Sequence, residues 1–338
     1  YAFLSNNGDI SGTITDIIMN NVSITTFNSN LANISGVISN ITMGGVSASV
    51  FNTSGDMSGS ISNIILEDCD SPFNISGDIS GTITNITMGI SSNAFSGSNI
   101  SGKISDVIMG TTSTSFFTTT GDISGIINNI KMLGFVNGFH STSNISGTIT
   151  NITMGDGNSA FYAETGDISG NISGIIMGTV SNSTFNVIND VSGKISNINM
   201  GNVTGTYTFN IGTFSGIITD IIMGDVNYGF RSNGNMSGKI SNITMGHSIY
   251  GFRSQNGDIS GIITDIVMGS VSVAFFSPGS ISGTITNITM GDVSTYTFYT
   301  SAGDISGTIT NIIMGNVNNK AFWSYTGDIS GKITDIRM

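Results

Sequence analysis

The sequence predicts an all-β fold: a three-sided parallel β-helix of about 15 coils of 21–24 residues. Three observations predict it. A twelve-residue phrase, GDISGTITNIIM at 303–314, recurs as GDISGTITDIIM at 8–19 and GDISGKITDIRM at 327–338. Aligning its Ser-Gly pair gives fifteen copies, from Gly12 to Gly331, and a fixed period of this size marks stacked repeats. β-branched residues dominate, helix formers are scarce and no 3.6-residue apolar stripe runs through the chain, which disfavours a helix in the repeat.

The elements follow in order along one repeat. Ile10-Ser11-Gly12-Thr13-Ile14 alternates apolar and polar, as a half-buried strand does. Gly12 shares the inward parity of Ile10 and Ile14, so its missing side chain is expected to make room for bulk across a narrow core. Thr15-Asp16 breaks the alternation, and Ile17 and Met19 resume it, as a corner between strands would. The Asp16 column is Asn or Asp in fourteen copies, with Gly174 the exception. Both types tolerate the left-handed conformation and suit corners. Stacked Asn side chains can also form a ladder. The five aspartates there (Asp16, Asp106, Asp220, Asp265, Asp335) never fall in adjacent repeats, as expected if like charges would stack in register.

The Met19 column is Met in fourteen copies and Leu66 in the other; Met57 and Met236 complete the sixteen methionines. All sixteen therefore have inward parity, which predicts a core ladder. A second corner, usually Gly-Asn or Gly-Asp, precedes Val, and a Phe column runs from Phe3 to Phe322. Length varies between Val and Phe and between Phe and the next Ile, so loops or bulges are expected there. Crossover chirality predicts right-handed winding, and stacking at ~4.8 Å per coil predicts a rod roughly 70 Å long.

The totals narrow the function. Of the residues 9% are charged, with net charge -12, and an acidic surface without basic clusters repels nucleic acid. No apolar run approaches the ~20 residues of a membrane span, so no membrane insertion is expected. The reading is a single solenoid over 1–338 that starts and stops inside a repeat, hence part of a longer chain or assembly. Cys69, the one cysteine, falls where most copies have Val and reads as a buried substitute for it.

The Ile, Met and Phe columns with the Asn/Asp corner resemble the right-handed parallel β-helix repeat proteins, a class that includes surface adhesins, autotransporter passengers, phage tailspikes and pectin-lyase-like enzymes. The resemblance spans the chain and is architectural; fold alone assigns no function.

Enzymes of that class group carboxylates or Arg, Lys and His on one face, whereas this chain has two histidines and three arginines. No catalytic residue, cofactor or metal ligand is assigned. The adjacent-repeat aspartates Asp56/Asp78, Asp167/Asp190 and Asp304/Asp328 read as turn residues bonding their own backbone rather than as calcium ligands. The one candidate ligand patch is Tyr228, Arg231, Tyr250 and Arg253, where stacked Tyr and Arg could take a glycan or an anion. Outward threonines such as Thr13 and Thr15 raise ice binding as a weaker alternative. Outward apolar residues such as Ile18, Ile65 and Ile222 suggest lateral packing. The expectation is a non-enzymatic structural protein, a rod, fibre or filament at an extracellular, cell or virion surface, self-associating end to end or side by side. The alternative is an adhesin-type binding module using a flat face.

Overall fold

The computed structural model describes residues 2–338. They form 27 parallel strands and no helix, stacked as a β-solenoid of about 15 turns. The chain divides into two compact units, residues 1–166 with 170–172, and residues 167–169 with 173–338.

In the first unit the strands Thr13–Met19, Val37–Met43, Ser60–Leu66 and Thr82–Met88 stack in register, pairing Ile14 with Ile38 and Met43 with Leu66. Short strands such as Phe27–Ser29 and Phe51–Thr53 form the next side. From Lys103–Thr119 through Ile126–Ser141 to Thr148–Ala163 the two sides merge into continuous strands. In the second unit, strands ending at Met alternate with strands carrying Phe, such as Ile217–Met223, Val226–Ser232, Lys239–Met245 and Ser248–Ser254. Register shifts fall between the Val and Phe columns, at Thr111/Ser115, Val203/Tyr207 and Val271/Val273, and after Phe at Val187/Asp190. These are the two stretches where repeat length varies.

The Asn/Asp corner is left-handed throughout. Fourteen Asn or Asp residues have φ of 54–60°, and Gly174 has 66°. The amides donate to the preceding coil wherever it offers a side-chain oxygen: Asn63 Nδ2 to Asn40 Oδ1 at 2.9 Å, Asn85 to Asn63 at 2.7 Å, Asn311 to Asn287 at 2.8 Å. The direction of donation explains the spacing of the aspartates. An Asp accepts from the next coil, as Asp106 does from Asn129 at 2.9 Å, but has no N–H for the coil before it. Thr84 Oγ1 donates to Asp106 Oδ2 instead, at 3.2 Å. Two aspartates in succession would leave facing acceptors with no proton between them. The Asn129 amide, helped by Ser105, holds the Asp106 carboxyl below its ordinary value.

Met and Phe form the core as expected, except at the last coil, where Met338 has no following coil to cover it and is exposed. Within the first unit the rings from Phe3 to Phe161 stack with centroids 4.6–5.1 Å apart. Within the second, Phe185 to Phe322 repeat the stack at 4.7–5.0 Å. Where Gly precedes Phe it leaves space for a methionine sulfur: a Cβ on Gly138 would lie 3.3 Å from Met154 Sδ and one on Gly229 3.2 Å from Met245 Sδ. Where Thr precedes it, Thr184 and Thr297 donate to Met200 Sδ and Met314 Sδ at 3.5 and 3.4 Å.

Two expectations need correction. The strand begins at Thr13, not Ile10: the Ile10 column contributes single bridges such as Ile10–Ile34 and Ile34–Met57, and Ser-Gly forms a bend after each. The glycine column is buried in most coils, yet it does not make room across the core. A Cβ on Gly36 would lie 2.2 Å from the Gly12 carbonyl oxygen, and one on Gly261 2.1 Å from that of Gly238. The constraint runs along the stacking direction, where successive Ser-Gly bends touch backbone to backbone.

Candidate functional site

The second unit brings the four candidate residues together. Tyr228 and Arg231 lie on one strand, Tyr250 and Arg253 on the next, with Tyr228 opposite Tyr250 and Arg231 opposite Arg253. Arg231 and Arg253 directly follow Phe230 and Phe252, so the alternation that buries Phe turns them outward. Before Phe the alternation breaks, because Gly229 and Gly251 are buried beside Phe, and Tyr228 and Tyr250 stay half-buried at the surface. The Tyr228 and Tyr250 rings stack with centroids 4.9 Å apart. The Arg253 guanidinium lies 4.9 Å from the Tyr250 centroid and 5.5 Å from that of Tyr228, and Nη1 donates to the Tyr228 hydroxyl at 3.2 Å. Arg231 lies 4.9 Å over Tyr207 and donates to Asn210 Oδ1 and Gln255 Oε1.

The ridge is longer than the sequence reading made it. Tyr207 extends it on one side; Phe276, Tyr296, Tyr299 and Trp323 extend it on the other, with Tyr299 stacked on Trp323 at 4.6 Å and Lys320 Nζ 3.8 Å over Trp323. Aligning the position two residues before Phe would have found Tyr207 and Tyr296 beside Tyr228 and Tyr250. Burial, then the neighbouring tyrosines, raises the Tyr299 phenol above its usual value. Because these rings largely face one another, edges and hydroxyls rather than open π-faces meet the solvent.

A smaller group lies in the first unit. His140 stacks on Tyr162 at 5.0 Å, and its Nε2 is 3.5 Å from Glu164 Oε2. His247 is engaged differently: its Nδ1 accepts the Ser270 N–H at 3.1 Å. The aspartates before the Ile column bond backbone, but of the next coil rather than their own. Asp56 Oδ1 accepts the Asp78 N–H at 2.9 Å, and Asp304 Oδ1 that of Asp328 at 2.8 Å. Asn33 and Asn99 act alike toward Asp56 and Asp122.

An open groove of about 600 Å³ crosses the second corner of the first unit, lined by Val22, Val46, Cys69 and Ile90 with Asp68 and Asp70 at its rim. Cys69 is buried in the Val column, bridged to Val46, and donates to the Ala48 carbonyl at 3.4 Å. Burial, with a contribution from Asp70, pushes its thiol up to about 12. Iodoacetamide at pH 8 should therefore alkylate the folded protein at least ~100-fold more slowly than the protein in guanidinium, since the thiolate is the nucleophile. Comparable rates would place Cys69 outside the core.

Away from the end coils, where Thr15 and Thr334 are exposed, the Thr15 column is half-buried or buried, and its hydroxyls bond one another, Ser39 to Thr15 at 3.2 Å and Ser241 to Thr219 at 3.1 Å. Exposed hydroxyls remain at Thr13 and its equivalents, mixed with Val37, Lys103 and Ile126. Comparison with protein-family models, with curated proteins and with solved structures finds no match.

Proposed function

We propose that this chain is a non-enzymatic structural protein, a β-solenoid segment of an extracellular fibre, filament or surface adhesin. The observation that carries the reading is that each coil satisfies the next. Corner amides, carboxylates, Phe rings and Ser-Gly bends are all engaged by the same column one coil away. Residues committed in this way build length and stiffness, since every repeat is stabilised by its neighbours. Lateral association is favoured by the outward apolar positions Ile18, Ile65, Ile108, Ile222 and Val267, which are half or more exposed on strands whose other outward residues are mostly polar.

Electron microscopy of the native material without ligand is the test. Fibres with an axial repeat of ~4.8 Å are expected. Single molecules at every concentration, with no lateral or axial association, would overturn the reading.

A further inference from the structure

Charge is segregated along this chain. Residues 1–102 hold seven carboxylates and no lysine or arginine, whereas all three arginines lie beyond residue 230. Arg231 and Arg253 occupy adjacent coils, and among the described residues no carboxylate pairs with either. Like charges directly opposite on neighbouring strands oppose each other. The chain nonetheless holds both guanidinium groups in place, over Tyr207 and between Tyr228 and Tyr250. The neutral acceptors Asn210, Gln255 and the Tyr228 hydroxyl engage three of the four terminal nitrogens, and Arg253 Nη2 has no acceptor among the described residues. Fixed guanidinium groups with N–H donors to spare suit oxyanions, because the rotamer entropy is already spent.

A matching surface occurs in the same sequence. Asp56 and Asp78 also sit one coil apart, their neighbours Met57 and Ile79 being bridged. Each commits Oδ1 within the solenoid, Asp56 to the Asp78 N–H and Asp78 to Asn99 Nδ2 at 2.8 Å. No hydrogen bond among the described residues engages either Oδ2. In both pairs the coil pitch, ~4.8 Å, sets the spacing. We propose that Arg231 and Arg253 dock a second copy of this chain by its Asp56 and Asp78 carboxylates, two charges meeting two at one common pitch.

This contact is a side-by-side form of the self-association proposed above and rests on that reading. The donor and acceptor surfaces differ, so the contact is heterologous: each copy that docks by its arginines still offers its aspartates, and the assembly extends. In a chain of net charge -12, association needs such a local match against overall repulsion.

Sedimentation velocity over a concentration series tests it, with R231Q/R253Q and D56N/D78N. Asn33 and Asn99 already fill the aspartate column, so D56N/D78N keeps the backbone acceptor and removes only charge. Each variant alone should associate about tenfold more weakly than the parent, the scale of two exposed ion pairs. An equimolar mixture should form dimers that do not extend, since only one complementary contact survives. Association of R231Q/R253Q equal to the parent's would overturn the docking and leave self-association standing. A parent that never associates would remove both. Trigalacturonate bound by the parent but not by R231Q/R253Q, without association, would assign the arginines to an acidic saccharide and overturn the proposal as well.

Discussion

Gly261→Ala should unfold the coils around it, with a local loss of about 3 kcal/mol or more. The added methyl would lie 2.1 Å from the Gly238 carbonyl oxygen and 2.8 Å from the Ser237 carbonyl carbon. Backbone cannot step aside by changing rotamer, so the coil spacing must open, and with it the ladders on either side. Gly12→Ala is the control: the same column in the first coil has nothing within 4 Å of that Cβ. It should change stability by less than ~0.5 kcal/mol. Because a solenoid need not unfold in one step, amide exchange is the measurement rather than a single melting temperature. Protection in Lys239–Met245 and Ile262–Met268 should fall in Gly261→Ala and stay unchanged in Gly12→Ala. Equal protection in both would refute the axial contact.

That contrast also marks how far the sequence could be read. Columns carry parity, and parity was legible: the inward Ile, Met and Phe positions, the left-handed corner at Asn63 or Asp106 and the burial of Cys69 all follow from period and residue type. The sites of length variation were legible too, and they coincide with the register shifts between Val203 and Tyr207 and between Val187 and Asp190. Axial contacts were not legible, because a repeat of one residue type cannot show whether it packs across the core or along it. The glycine column was assigned to the wrong direction for that reason. The Asp56 carboxylate was likewise assigned to its own turn, although the next coil's N–H is its partner. At the candidate site, Arg231 and Arg253 stood out as rare residues in a shared column. The aromatic ridge did not, because its rings are divided between two columns and separated by more than twenty residues, while the fold places Tyr207 a coil from Tyr228, Tyr228 a coil from Tyr250, and Tyr299 a coil from Phe276 and from Trp323.

Met154→Asp should cost about 3–5 kcal/mol locally, as an unpaired charge in the core does. Met154 is buried, sits opposite Met132 and packs where a Cβ on Gly138 would lie 3.3 Å from its sulfur. Apolar and sulfur-bearing surroundings give a carboxylate no donor, so burial should raise its folded pKa above the unfolded value of ~3.9. The sign of the pH dependence follows. A group whose folded pKa is raised binds more protons in the folded state, and the stability it retains is present below the unfolded pKa. It is lost as pH rises toward and through the folded one. The deficit of Met154→Asp against the parent should therefore be smallest below pH ~4 and grow toward neutrality, read as amide exchange in Ile126–Ser141 and Thr148–Ala163. Thr153→Asp, one residue earlier, faces outward and lies opposite Lys131. It should be near neutral at every pH, because the same charge on the other parity meets water and a cation. A deficit of equal size in both variants would mean that the Met column is not the interior of the solenoid.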